Sequence, residues 1–389
     1  MIYFDNGATS YPKPKSVLNA YAAAMRLYSF NSGRGGYRQS VTAAEKIYET
    51  REKIAAMIGA QPQNVAFTKN CTEALNIAIC GSITPGCHVI ISSLEHNSVW
   101  RVVSNLQKEG KITFDIADFD FDFDKCAGNF ERLIKPETRL IVCMSASNVF
   151  GVVFPIEKIG NIAKKHGVRF AVDAAQSAGV MPINMKKDNV DIICAPGHKC
   201  LCGPMGTGFI ALGDNVELKP ILVGGTGSDS LNSAQPDFMP DRLEAGTLNN
   251  PGIIALGSGI DYINKRKMSN VYSYELFLAQ RLYDGLSSIP SAVLYCPRPS
   301  ENHNVPLISF NIKNIKSEKT AAFLAENDIA VRAGYHCSPL AHGFFGTLGS
   351  GTVRLCPSAF NTLNECEIFL NTVKKPVSYT HLTLPTKLE

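Results

Sequence analysis

The chain has 389 residues, with 38 Lys and Arg against 34 Asp and Glu, a formal charge of +4, and 45% apolar and 19% charged residues. That balance excludes a disordered chain and gives no electrostatic reason to expect nucleic acid or an anionic membrane as a partner. The length calls for one large domain with a smaller one beside it rather than a single core.

Residues 40–59 place apolar side chains at Val41, Ala44, Ile47, Tyr48, Ile54 and Ile58, an amphipathic helix stopped by Gly59. A strand is predicted over 64–68 and a helix over 72–81, then a strand over 88–92 and a helix over 98–110. Strands follow at 112–116 and 140–144, a helix at 156–166, and strands at 169–172 and 191–194. Strand and helix in alternation predict an α/β fold, a mostly parallel sheet covered by helices on both faces. The character changes near Asn250-Pro251-Gly252. Beyond it helices are predicted at 253–266 and 271–286, strands at 305–311 and 329–332 with a helix at 317–327 between them, and a last helix at 364–373. Residues 15–250 are therefore expected as the large domain, and 1–14 with 251–375 as a small α+β domain. Residues 376–389 continue no periodicity and are expected to be a non-native or disordered tail.

No apolar run approaches the roughly 18 residues that a membrane span needs. Met1–Asp5 lacks the basic-then-apolar pattern of a secretory leader. The twelve cysteines are spread among apolar stretches, as packing thiols in a reducing cytoplasm would be. Cys200-Leu201-Cys202 is too closely spaced for paired zinc ligands and has no second pair, so no metal site is expected.

The segment Ala195-Pro196-Gly197-His198-Lys199 follows an apolar strand and precedes a glycine-rich stretch. A lysine at the mouth of a sheet, flanked by glycines, can reach a bound ligand, although a lone lysine is more often a surface charge. Asp173 ends the strand over 169–172, where ligands of parallel sheets bind. A carboxylate there can hold a protonated ring nitrogen and turn that ring into an electron sink; capping the next helix is the alternative. Between strand and helix, Lys69-Asn70-Cys71-Thr72-Glu73 offers a helix start to a phosphate, with Thr72 reading as the cap. The Gly-Lys-Ser/Thr signature of a Walker loop is missing.

This constellation resembles the class V aminotransferase family of fold type I pyridoxal-phosphate enzymes, and within it the cysteine desulfurases. The resemblance runs from Tyr3-Phe4-Asp5-Asn6-Gly7-Ala8-Thr9 to about Val373. It implies a large cofactor-binding domain built on a seven-stranded, mostly parallel sheet. It also implies pyridoxal 5'-phosphate on Lys199, with Asp173 at the ring nitrogen, Gln176 at the ring hydroxyl and His96 stacked on the ring. Asn148 would lie beside cofactor and substrate, and Cys71, Thr72 and His198 would hold the phosphate. Thr247 would be supplied by the partner subunit of a homodimer.

A further segment, Arg332-Ala333-Gly334-Tyr335-His336-Cys337-Ser338-Pro339, resembles the catalytic loop of the group II desulfurases. A polar, glycine-containing loop beside a histidine can favour the thiolate of Cys337. Arg354 matches the arginine that grips a substrate carboxylate, for which its fork is suited; a structural ion pair is the alternative. The resemblance thus implies catalysis by Lys199 and Cys337 with His96. L-Cysteine would be converted to alanine, leaving a persulfide on Cys337 for a sulfur-acceptor protein, as in iron–sulfur cluster assembly. Rival readings are a selenocysteine lyase acting on L-selenocysteine, another aminotransferase or β-elimination enzyme of this fold, and a noncatalytic sulfur-relay protein. The chain departs from the family in having Cys71 where Thr is common and Pro196 where Ser is common. The stretch over 225–242 is also shorter than in typical group II members.

Overall fold

A computed structural model describes residues 1–33 and 35–375; residues 376–389, expected as a tail, lie outside the described residues. The chain begins with β1 (Ile2–Tyr3), α1 (Lys15–Leu27) and α2 (Arg38–Ile58). Gly59 closes α2 at φ +71°, the left-handed stop expected there. Strand and helix then alternate through β2 (Val65–Thr68), α3 (Cys71–Ser82), β3 (Cys87–Ser92), α4 (Asn97–Lys108), β4 (Ile112–Ala117), α5 (Phe123–Glu131), β5 (Thr138–Met144), α6 (Ile156–Lys165) and β6 (Arg169–Asp173). Two further strands, β7 (Ile192–Pro196) and β8 (Gly208–Leu212), complete a seven-stranded sheet in the order β2-β8-β7-β6-β5-β3-β4. Only β8 runs antiparallel to its neighbours.

Every residue of β3 and β7 is buried, as a sheet covered on both faces requires. The side chains alternate between two apolar clusters. Ile90, Ile141, Val172 and Ile193 face one, and Val89, Val142, Ala171 and Ile192 face the other.

The rest of the chain runs α7 (Asn250–Arg266), α8 (Met268–Ser287), β9 (Ala292–Leu294), β10 (Ile308–Ile312), α9 (Ser317–Glu326), β11 (Ile329–Ala330), β12 (Arg332–Gly334), α10 (Pro339–Phe344), β13 (Thr352–Leu355) and α11 (Leu363–Lys374). A second, antiparallel sheet has the order β12-β13-β10-β9, while β1 pairs in parallel with β11 and ties the N-terminus to this region. Two differences from the sequence-based expectation matter. The strand expected over 329–332 is two strands in two different sheets. In addition, Ile253, Leu256, Ile260 and Ile263 of α7 pack into a cluster of the large sheet, whereas Leu278, Leu282 and Leu286 of α8 pack against the small one. Helix α7 thus packs with the large sheet although it lies beyond residue 250.

Candidate active site

Strands β5, β6 and β7 end at Met144, Asp173 and Pro196, and a cavity of about 210 Å³ opens beyond those ends. Cys71, Thr72, His96, Asn148, Asp173, Gln176, His198, Lys199 and Arg354 all line it. Residues from nearly the full length of the chain thus converge where a parallel sheet offers a ligand its strand ends.

Asp173 is buried at the floor. Its Oδ1 accepts the Ala175 N–H at 2.8 Å and the Cys71 thiol at 3.5 Å. A turn rather than a helix follows, so Asp173 is not a helix cap. Burial pushes its carboxyl pKa up, against the pull of the Ala175 N–H and the Lys199 charge. Burial pushes Lys199 the other way, below its usual 10.5, with Asp173 opposing. Among the described residues Lys199 forms no ion pair, so its amine is not consumed by a structural contact. A lysine whose neutral form is favoured is a better nucleophile and base.

His96 occupies the N-cap of α4, where its Nδ1 accepts the Ser98 N–H at 3.0 Å. The ring proton therefore sits on Nε2. Burial, then the charges of Lys199 and Arg332, push its pKa down to about 4, so the ring is neutral at pH 7. Thr72, expected to cap α3, does not. Asn70 is the cap and accepts the Glu73 N–H at 2.9 Å, and its carbonyl takes the Ala74 N–H. The physical consequence is favourable to the anion site, because the N–H groups of Cys71 and Thr72 at the first helical turn remain for a ligand.

His198 is neutral too, its pKa pushed down to about 4 by burial and by Lys199 and Lys13. Its buried Nδ1 has no partner among the described residues. Its carbonyl accepts from Lys13 Nζ at 2.8 Å and from the Ser10 N–H at 3.0 Å. Lys13 thereby fastens the turn that presents Lys199, a role that nothing in its spacing signals. Gln176 donates to the Gly7 carbonyl at 3.1 Å, which joins the N-terminal segment to the same cavity.

Arg354 is 1% exposed. It is an ion pair as well as a cavity residue: Nη2 donates to Asp5 Oδ1 at 2.6 Å and Nη1 to the Asn148 carbonyl at 2.8 Å. Asn148 also donates to the His336 carbonyl at 2.7 Å and accepts from Ser338 Oγ at 2.7 Å, gripping the loop on both sides of Cys337. Two sequence-predicted residues lie elsewhere. Thr247 is exposed beside a different cavity that it shares with Arg51 and Glu244. Cys337 opens onto an adjacent groove of about 560 Å³ that shares Thr72, His96 and Ser98 with the Lys199 cavity. Its Sγ lies 3.9 Å from Arg332 Nη2, and its carbonyl accepts the Asn97 N–H at 2.8 Å. His336 and Cys337 adopt φ of +47° and +58°, the left-handed region that residues with side chains rarely enter. Two such residues in succession hold the loop around Cys337 in an uncommon backbone conformation.

These groups fit pyridoxal phosphate. The unclaimed N–H groups of α3 and the unpartnered His198 Nδ1 suit its phosphate, Asp173 its ring nitrogen and Lys199 its aldehyde carbon. The neutral ring of His96 suits its face. A model of the Aminotransferase class-V family matches residues 2–369. A protein of Methanothermobacter thermautotrophicus named as a probable cysteine desulfurase is 32% identical over 385 residues, covering 96% of this chain and 94% of its own length. One of Pyrococcus abyssi, with the same name, is 33% identical and covers 97% of this chain and 94% of its own. The solved apo structure of a cysteine desulfurase from Thermococcus onnurineus NA1 superposes with a TM-score of 0.89 at 34% identity, over 96% of this chain and 93% of that one. With its sheet in place and its lysine and a helix start brought together at the strand ends, the chain belongs to the class-V aminotransferase family of pyridoxal-phosphate enzymes.

Proposed function

We propose that this protein is a cysteine desulfurase, releasing L-alanine from L-cysteine and keeping the sulfur as a persulfide on Cys337. The observation that carries the reading is Cys337. Of the twelve cysteines it alone is exposed, and it stands on a pinned left-handed turn whose groove shares a wall with the Lys199 cavity.

When bound, pyridoxal phosphate supplies an electron sink for charge developing at the substrate α-carbon. The protein's own residues do the rest. Lys199, with its basicity lowered by burial, takes the α-proton on Nζ and returns protons later in the cycle. Asp173 keeps the ring nitrogen protonated, and Arg354 orients the substrate by its carboxylate. The Cys337 thiolate attacks the substrate sulfur; an S–S bond forms as the Cβ–S bond breaks, its electron pair passes to the carbon skeleton, and proton uptake there yields alanine. Arg332 Nη2, 3.9 Å from Sγ, is the cationic side chain in contact with that sulfur. His96, neutral and with its Nε2–H unclaimed by the helix cap, serves as a donor over the cofactor face.

The finer parts of the reading are these. A second copy covers the exposed apolar side chains Leu18, Met25, Ile221, Leu222 and Val223 and receives Thr247, giving a homodimer. The exposed thiol hands its sulfur to an acceptor protein, as iron–sulfur cluster assembly would require. Twelve free cysteines suit a reducing cytoplasm. The test is alanine release from L-cysteine by the cofactor-loaded protein, with Cys337→Ser beside it. Release by the wild type and its loss in the variant, with cofactor absorbance intact, is the expected result. Full turnover by Cys337→Ser would overturn the role of Cys337.

A further inference from the structure

A guanidinium buried as deeply as that of Arg354 must be paired, since an unpaired charge in such a place is strongly destabilising. Its pairing is incomplete in an informative way. Asp5 and the Asn148 carbonyl take one donor each from Nη2 and Nη1, while the buried Nε–H has no partner among the described residues. Gly7 lies flat against the group: a β-carbon there would sit 3.1 Å from Cζ and 3.3 Å from Nη2. The guanidinium is therefore fixed in one orientation, part of its donor set is unclaimed, and the residue lines the Lys199 cavity.

A carboxylate that reaches Arg354 from the cavity meets a cation that already holds an anion. The Asp5 side chain is only 21% exposed, so little water lies between the two negative charges to screen them. Two opposed demands act on this position. Without a counterion Arg354 would retain whatever carboxylate reached it, the product included; with one, the grip is loosened.

We infer that Asp5 is a positioning residue that limits the carboxylate affinity of Arg354: it neutralises the guanidinium between turnovers and weakens its hold on the carboxylate of alanine so that product departs. The inference rests on the proposed role of Arg354 as the α-carboxylate anchor.

The experiment titrates the cofactor-loaded wild type, Asp5→Asn and Asp5→Glu with L-alanine and with L-alaninamide, following the cofactor absorbance. Asparagine keeps an acceptor for Nη2 but removes the charge. Asp5→Asn should bind alanine on the order of tenfold more tightly, the effect of removing a like charge from the far side of a shared, desolvated cation. Alaninamide, which has no carboxylate, should bind as before. Asp5→Glu should restore wild-type affinity for alanine, which separates the effect of charge from that of a disturbed N-terminal segment. Unchanged or weaker alanine binding by Asp5→Asn, in a background where wild type still prefers alanine to alaninamide, overturns the role of Asp5 alone. A wild type that does not distinguish the two ligands overturns it together with the reading of Arg354 on which it rests.

Discussion

Glu95 offers the sharpest physical test of the site's surroundings. Its side chain is fully buried next to His96, and Oε1 accepts the Ser92 hydroxyl at 2.6 Å and the Met144 N–H at 2.8 Å. Burial, and after it the charge of Asp173, push the carboxyl pKa from 4.5 to about 8. Such a rise corresponds to about 5 kcal/mol between the protonated and ionised forms. The sign follows from proton counting: above pH 4.5 the unfolded chain has released this proton, whereas the folded protein keeps it until about pH 8. The folded state binds more protons across that window, so the contribution of Glu95 to stability falls by about 1.4 kcal/mol per pH unit as pH rises and levels off above it. Glu95→Gln keeps the shape and stays neutral at every pH, so it removes this slope. Denaturant unfolding of both proteins between about pH 5.5 and 8.5 should show the variant gaining on the wild type by about 3 kcal/mol in total. A stability difference that does not change with pH would refute the assignment of a protonated Glu95.

Two other substitutions have expected outcomes. Gly7→Ala places a methyl group against an Arg354 that Asp5 and Asn148 hold in place, so the half-saturating concentration of L-cysteine should rise about tenfold while cofactor absorbance is retained; steady-state kinetics would show it. Glu244 forms a buried two-pronged pair with Arg51, at 2.7 and 2.6 Å, and also accepts the Phe67 N–H. Glu244→Ala should therefore cost about 3–5 kcal/mol in denaturant unfolding by stranding Arg51, and the double variant with Arg51→Met should cost less than the sum of the two singles.

Much of the large domain was legible because its strands are buried on both faces and read as continuous apolar runs between turn residues. Among the elements that escaped are α1 and β8. Helix α1 buries only Val17 and Ala24 and turns Leu18, Met25 and Leu27 outward, so its pattern does not point inward. Strand β8 is short, reverses direction and follows a glycine-rich loop. Lys199 and Asp173 could be recognised because each stands at or just past the end of a strand. The position of Cys337 could not: whether it lines the Lys199 cavity or the groove beside it depends on two left-handed residues and on contacts from Asn97 and Asn148, far away in sequence. The Asp5–Arg354 pair, 349 positions apart, leaves no trace in local spacing. The cap of α3 was misplaced by two residues because Asn70 and Thr72 are both good capping types, and only the backbone decides between them.

The distribution of thiols has a consequence for where a loosely held sulfur atom can go. Ten of the cysteines, among them Cys71, Cys194 and Cys200 around the cofactor site, have their thiol pKa pushed up by burial. Cys80, which shares the groove with Cys337, is one of them and is only partly accessible. Thiols kept protonated are poor at attacking a neighbouring disulfide or persulfide. A sulfur carried on Cys337, as proposed above, would therefore find these ten thiols poor acceptors, while its own exposed position faces outward.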